Sequence, residues 1–423
     1  MLPFGHDDTL LRCYSLIVSQ LRKEGIDLQR PDTERWDRVR VVLAADNLSA
    51  LVCRLPENVV MLSGYWPVMG RSVVIFPTEG DPVLLAPVSE TTAIELGWIA
   101  DIRTFRAWRV GDADPEVSLA ALLGHAFADR GLRGKRIGYE GSFGDVGIIQ
   151  RVLEAWAGVT TVVPSWMNAS GGAEWTDFGP RLVELSGRKT AREVERVRIA
   201  NEVADFGLEA FFREAMAGKR ETEIAAAVES AIHVSGVGYK GVGNARGEAE
   251  VISGPRTSDA WDFPTSSSRV VEDGDLVMVE LATVADGYWS DLTRTVVAGT
   301  PNDTQRRLFT AQRAAYQAAL AVMRPGMPAA DADAAGRKAL DEFGLRELFA
   351  HHTGHGIGFR YHEPVPFVHP DSTHVLEAGM ITSLEPGLYG DNFGLRVEDN
   401  VVITPDGAER LCRTARWPAL EVP

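Results

Sequence analysis

The chain has 423 residues, 45% of them apolar and 24% charged, so it has a globular composition and enough length for two hydrophobic cores. Its 43 basic and 59 acidic residues give a net charge of −16, which argues against nucleic acid or an anionic membrane as the main partner. Three cysteines, Cys13, Cys53 and Cys412, lie far apart with no C-x-x-C spacing, a pattern that fits a reducing compartment and excludes a cysteine-based zinc knuckle.

The first 31 residues lack the basic start and unbroken apolar run of a signal peptide. Leu10, Tyr14, Ile17, Val18 and Leu21 instead follow helical spacing, which predicts an N-terminal helical extension. No stretch approaches about 18 uninterrupted apolar residues, so no membrane span is expected and the cytoplasm is the default location. Residues 32–184 alternate helical and strand-like patterns: a helix over Trp36–Ala45, strands at Ala50–Arg54, Arg71–Pro77 and Pro82–Ala86, a helix over Ser118–Arg130 and a strand at Arg136–Tyr139. Such alternation predicts an α/β domain with a buried mixed sheet. The stretch Ser165–Pro180 is rich in Gly, Ser, Asn and Asp and reads as a loop near a domain boundary.

Residues 185–423 form the second expected domain. It opens with a long amphipathic helix over 189–217 and a second helix over Glu221–His233, and carries further helices at roughly 302–323 and 328–343. Thr300 and Pro301 signal the start of the third of these. Residues 236–241, GVGYKG, match a dinucleotide fingerprint literally. They follow a helix rather than a strand, the wrong context for that motif.

The chemistry concentrates in this second domain. Six of the nine histidines lie between His351 and His374, in a string that begins HHTGHGIGFRYHEP. Gly354, Gly356 and Gly358 clear side chains from around His355, so that a ligand or another backbone can come close. Upstream, Met278–Leu281 and Tyr288–Val297 read as a hairpin turning around Asp286-Gly287. With Val284–Gly287 as the loop, Glu280 and Asp291 face each other, with Cβ atoms about 4.5–5.5 Å apart. Two carboxylates so placed in an apolar run need a cation between them. Glu385 at the end of one apolar strand and Glu398 within another add two more acids. Four carboxylates and one imidazole suit Mn, Fe, Co or Zn, and two such ions can activate a water and polarise a carbonyl.

The ordered series GDLV…ADGYWSDLTRT, HHTGHGIG…HE, LEPGLY and GLRVEDNVVIT resembles the creatinase/prolidase/methionine aminopeptidase family over residues 185–412. The segment NVVMLSGYW extends the likeness into the N-terminal half. The resemblance implies a pita-bread catalytic domain behind a smaller creatinase-type α/β domain, and a homodimer. It implies metal ligands at Glu280, Asp291, His355, Glu385 and Glu398, with Asp291 and Glu398 bridging two divalent ions, manganese first and cobalt, iron or zinc as alternatives. It further implies pocket roles for His362, His351 and Arg396, and an acid/base role for Glu385.

Two positions depart from the family pattern. The first ligand, normally Asp, is Glu280, whose extra methylene moves the carboxylate by about 1.5 Å. The segment SGPRTSDAWDFPTSSSRVVEDGD lacks the histidine that family peptidases carry there, and Trp261 and Asp262 fall in its place as candidate pocket residues. The leading expectation is a metallohydrolase of an amide bond in a small peptide, of the Xaa-Pro dipeptidase or aminopeptidase type, acting through a metal-bridged hydroxide. The alternative is an enzyme of small amide metabolites on the same fold, creatinase-like, ectoine-hydrolase-like or dimethylsulfoniopropionate-lyase-like. A non-catalytic binding protein ranks last, because buried acids and an imidazole are costly without partners.

Overall fold

A computed structural model describes residues 30–67, 70–141, 164–262, 265–414, 417 and 420. The N-terminal helical extension and Cys13 lie outside the described residues, as does Phe263.

In the first half, α1 (Thr33–Ala45) starts where the Asp32 side chain accepts the Arg35 N–H. Six strands follow: β1 (Ala50–Cys53), β2 (Val73–Pro77), β3 (Val83–Pro87), β4 (Asp101–Phe105), β5 (Arg136–Tyr139) and β6 (Glu174–Asp177). They form one mixed sheet in the order β4-β3-β2-β1-β5-β6, antiparallel around β2 and parallel elsewhere. The central strands β1, β2 and β3 are buried at every residue, as continuous apolar runs require. A helix over Pro56–Ser63 occupies most of the segment NVVMLSGYW, with Pro at its start and Gly64 in the left-handed conformation at its end.

The expected loop at Ser165–Pro180 is largely ordered instead. It holds a short helix (Pro164–Ala169), the edge strand β6 and the start of a helix over Gly179–Gly187. The strand escapes a periodicity reading because it is four residues long and no residue of it is buried. Its pairing with β5 comes from the sheet, not from its own pattern.

In the second half, the Thr190 hydroxyl and the Glu193 carboxylate form a reciprocal cap that starts the helix Ala191–Glu214. This helix and its neighbour Glu221–Gly236 lay Val197, Leu208, Val228 and Ile232 on the three-stranded sheet β7 (Ala245–Ser253), β8 (Leu276–Ala285), β9 (Tyr288–Val297). A second pair, Asp303–Val322 and Ala329–Asp341, packs Leu308, Phe309, Tyr316 and Leu340 against residues such as Leu384, Val401 and Ile403. Those residues belong to the sheet β11-β10-β12-β15-β16, made of β10 (Gly354–Gly356), β11 (Glu363–Val368), β12 (Ile381–Leu384), β15 (Asp399–Thr404) and β16 (Gly407–Arg410). A small ribbon, β13 (Gly387–Gly390) with β14 (Phe393–Arg396), lies between. The two halves share one apolar cluster, which runs from Trp36 and Leu62 through Val197 to Trp289 and Phe359. Buried ion pairs Arg35–Glu193 and Arg360–Glu57 join them further. Among the described residues no helix is long and apolar enough to cross a membrane.

The β8–β9 hairpin differs from expectation in register. Its turn is the two residues Asp286 (φ 48°) and Gly287 (φ 85°), both left-handed, as a tight hairpin turn demands. Ala285 therefore pairs with Tyr288, Glu280 with Thr293, and Ala282 with Asp291. Glu280 and Asp291 share a sheet face but stand diagonally, not directly opposite. On its other side Glu280 pairs with Glu250 of β7.

Candidate metal centre

Five side chains, each on its own segment, converge at the β8–β9 hairpin. Glu280 and Asp291 come from β8 and β9, and His355 from the middle of β10. Glu385 follows the end of β12. Glu398 is not within a strand, as expected, but in the junction between β14 and β15, where its N–H donates to the Thr293 carbonyl (3.0 Å). All five are buried. The glycines flanking His355 are required by packing of backbone on backbone. A Cβ at Gly354 would lie 2.1 Å from the Ser383 carbonyl oxygen, and one at Gly356 2.3 Å from that of Val365.

Hydrogen bonds fix each group. The Tyr361 hydroxyl bridges Glu280 Oε1 (2.8 Å) and Asp291 Oδ1 (2.9 Å). Thr293 Oγ1 reaches Glu280 Oε2 and Glu398 Oε2, and accepts from Arg396 Nε (3.0 Å). Arg396 forms an ion pair with Glu280 and donates to the Tyr389 hydroxyl (2.9 Å). That hydroxyl in turn contacts His351 Nε2 (3.0 Å). Asn400 clasps the backbone of Asp291 at both its N–H and its carbonyl. His355 Nδ1 faces the Gly356 carbonyl at 2.9 Å, which fixes the proton there. The other nitrogen, Nε2, is left to face Asp291 (3.3 Å) and Glu385 (3.6 Å).

The charges cannot coexist unaided. Burial raises the Glu398 carboxyl well above the usual range, and its neighbours Asp291, Glu385 and Glu280 push it further. Burial likewise raises Glu280 to about 7, opposed by Arg396 and reinforced by Asp291. Burial also raises Asp291 and Glu385, but the surrounding imidazoles outweigh it and hold both low. His355 is lowered by burial yet raised overall to about 9 by Asp291 and Glu385. Burial brings His351 down to about 4. Buried carboxylates set this close together call for a cationic counter-charge among them.

The donor set fits divalent cations. One ligand atom from each of Glu280, Asp291 and Glu398 lies within 4.8 Å of the others. The same holds for Asp291, His355 and His362, and for His352, His355 and Glu385. Glu398 Oε1 is buried without a hydrogen bond, as an oxygen turned toward an ion would be.

The other sequence candidates divide. His362 stands at the rim, its side chain 38% exposed and its Nε2 3.7 Å from Asp291 Oδ2. Desolvation and the adjacent His355 lower its pKa. His351 and Arg396 join the hydrogen-bond chain through Tyr389. Trp261 lies next to the end of a 3-10 segment, Gly254–Asp262, and is 49% exposed. None of the hydrogen bonds, ion pairs or ring contacts described for the cluster involves it. The Asp262 side chain falls outside the described residues. Sequence reasoning missed Tyr361, Thr293, Tyr389, Asn400 and His352. Tyr361 could have been flagged by its place beside His362, and Thr293 by its place two residues after Asp291 on the same strand face.

The comparisons with known proteins agree with this geometry. Residues 195–405 match the model of metallopeptidase family M24, and residues 35–166 match the creatinase/prolidase N-terminal domain. An Xaa-Pro dipeptidase of Pyrococcus furiosus is 34% identical over 257 residues, which cover 60% of this chain and 72% of that one. A probable dipeptidase of Mycobacterium tuberculosis is 38% identical over 196 residues, 45% of this chain and 49% of that protein. The crystal structure of the prolidase from Pyrococcus horikoshii superposes with a TM-score of 0.69 at 26% identity, covering 90% of this chain and 99% of that one. The chain belongs to metallopeptidase family M24, as a prolidase-like member with a creatinase-type N-terminal α/β domain ahead of a pita-bread catalytic domain.

Proposed function

We propose that the protein is a dinuclear metallodipeptidase that cleaves the amide bond of Xaa-Pro dipeptides or similarly small peptides. The observation that carries this reading is the buried convergence of Glu280, Asp291, Glu385, Glu398 and His355, with one carboxylate oxygen left without a hydrogen bond. These five residues would hold two divalent ions, which supply Lewis-acid polarisation of the carbonyl and activation of a water. Asp291 and Glu398 are the bridging candidates, and manganese is the first metal to try.

The protein groups then have separable tasks. Glu385 is held ionised beside three imidazoles and can accept a proton at its carboxylate. Ser383 orients it by donating to Oε1 (3.0 Å). His362, at the rim and facing Asp291, can donate a hydrogen bond to the developing oxyanion of the substrate. The chain from His351 through Tyr389 and Arg396 to Glu280 holds the first carboxylate in place rather than touching substrate.

A second reading draws on the segment Gly254–Asp262, which carries no histidine. Its absence favours a small amide or C–N substrate over a peptide. The test is metal content per chain after loading with Mn, Co, Fe or Zn, followed by a panel of Xaa-Pro, other dipeptide and small amide substrates. About two ions per chain with Xaa-Pro turnover supports the leading reading. Turnover of small amides alone supports the second. Failure to retain any metal refutes the leading reading and turns the second toward metal-free chemistry on His355, His362, Glu385 and Glu398.

A further inference from the structure

We propose that His352 is an additional liganding side chain of this centre, turned onto the ion that His355 and Glu385 would hold. The inference rests on the dinuclear reading above and extends it by one nitrogen donor.

His352 Nε2 lies 3.4 Å from Glu385 Oε1, and His355 Nε2 lies 3.6 Å from the same oxygen. Two bonds of about 2.1 Å that open at a tetrahedral angle separate their donor atoms by about 3.4 Å. The two imidazole nitrogens and the carboxylate oxygen thus already stand at the spacing of one coordination shell, all within 4.8 Å of one another. His352 Nε2 is also buried and makes no hydrogen bond, the condition it shares with Glu398 Oε1. Leaving such a nitrogen unsatisfied is costly, and an ion in this position would remove that cost.

The ring is held where it stands. It packs on Phe367 with ring centroids 5.0 Å apart, and lies edge-on to His355 at 5.9 Å. Its backbone carbonyl contacts His351 Nδ1 at 2.7 Å. The Arg337 guanidinium, itself paired with Asp333, donates to the His351 carbonyl (2.6 Å), and Thr353 donates to Asp333 (2.7 Å). His351, the neighbour that resemblance selects, has both nitrogens engaged, at the His352 carbonyl and at Tyr389. His352 is the one of the pair whose Nε2 faces the acids without such a bond. An outer pocket of about 540 Å³ adjoins it, lined in part by Phe349, His351, His352, Phe367 and His369.

The consequence is two unlike metal positions. One is built from oxygen alone, by Glu280, Asp291 and Glu398. The other would gain a second imidazole, His352 beside His355 and Glu385, a donor set that favours Fe, Co or Zn over Mn.

The test uses the full chain freed of metal and titrated with Co(II). Affinities are read from the visible spectrum, and bound imidazoles are counted by X-ray absorption on the fully loaded protein. Wild type should bind two ions with two imidazoles per pair. His352→Gln and His352→Ala should show one imidazole per pair and a weaker second ion, by on the order of 10- to 100-fold, with the first ion unchanged. Unfolding in chelator should be the same for wild type and His352→Gln, which separates a lost ligand from a lost fold. An unchanged imidazole count in both variants overturns the assignment and leaves the dinuclear reading standing. A wild type that binds no Co(II) overturns the dinuclear reading and the assignment with it.

Discussion

Glu280→Asp restores the shorter acid that the family carries at this position, and its effect can be worked from the contacts. The carboxylate retreats by about 1.5 Å, one carbon–carbon bond. The Tyr361 hydroxyl, now 2.8 Å from Oε1, would then stand beyond hydrogen-bonding reach unless the strand moves. The same retreat withdraws Oε2 from Arg396 and Thr293. Arg396 keeps Tyr389, Thr293 and, at 3.8 Å, Glu398, so it is not left unpaired. At least one bond to a charged group is nevertheless lost, at roughly 1.5–3 kcal/mol. With a denaturant slope of about 3 kcal/mol/M, the urea midpoint of the chelator-treated protein should fall by about 0.5–1 M. The acid freed from Arg396 is also more available to a cation, so the metal-loaded variant should recover most of that loss. Urea unfolding with and without Mn, for wild type and variant, checks both. An unchanged midpoint in chelator would refute the claim that these three bonds position Glu280.

Asp291→Asn should release both ions together and lower turnover by more than a hundredfold, measured as metal per chain and initial rate. His362→Gln should retain both ions yet lower kcat by about 10²–10³, since it removes a donor to the oxyanion and no ligand. Tyr361→Phe should raise the carboxylate repulsion in chelator and lower the unfolding free energy, read from urea curves, by about 1.5–3 kcal/mol, as the hydroxyl shared by two acids disappears. The pH dependence has a definite sign. Glu280 (about 7), Glu250 (about 8), Glu140 (about 8) and Glu398 are raised in the folded chain, and so is His355 (about 9). Each stabilises the fold below its unfolded value and loses that contribution as pH rises through the folded one. Chelator-treated protein should therefore lose stability toward pH 9, most steeply above about pH 6.5, because below it the lowered His351 (about 4) and His362 work in the opposite direction. Metal should flatten the part due to the pocket and leave the part due to Glu140, which sits in the first half of the chain. Thermal unfolding against pH, with and without Mn, reads this directly.

What the sequence makes legible follows from where a residue's pattern is self-sufficient. The helices over Ala191–Glu214 and Asp303–Val322 carry their own period and their own caps, and both stand within two or three residues of the expected limits. The strand Glu174–Asp177 carries neither, because it is an edge held only by Arg136–Tyr139. Glu280 can be picked out because it interrupts an apolar run, where an ordinary surface acid has no reason to be, and Asp291, Glu385 and Glu398 because they fall on the facing strand of its hairpin or on the apolar strands that follow. The groups that wire them together cannot. Thr293, Tyr361, Tyr389 and Asn400 are common residue types in common contexts, and only the tertiary approach of four segments gives them a task.

The register error shows how one turn decides the shape of the site. A four-residue loop would have put Asp291 directly across from Glu280. The two left-handed residues Asp286 and Gly287 close the hairpin two residues tighter and put Thr293 there instead. Diagonal partners stand about 7–8 Å apart along the backbone, farther than direct ones. Yet both carboxylates stand within hydrogen-bonding distance of the same hydroxyl, at 2.8 and 2.9 Å. Glu280 must therefore reach along the diagonal toward Asp291, and its extra methylene supplies part of that reach. Thr293, directly opposite, fills the space beneath and ties Glu280 to Glu398. The longer acid is thus accommodated by the register and hydrogen bonds of this chain, which is why it still belongs among the ligands we propose.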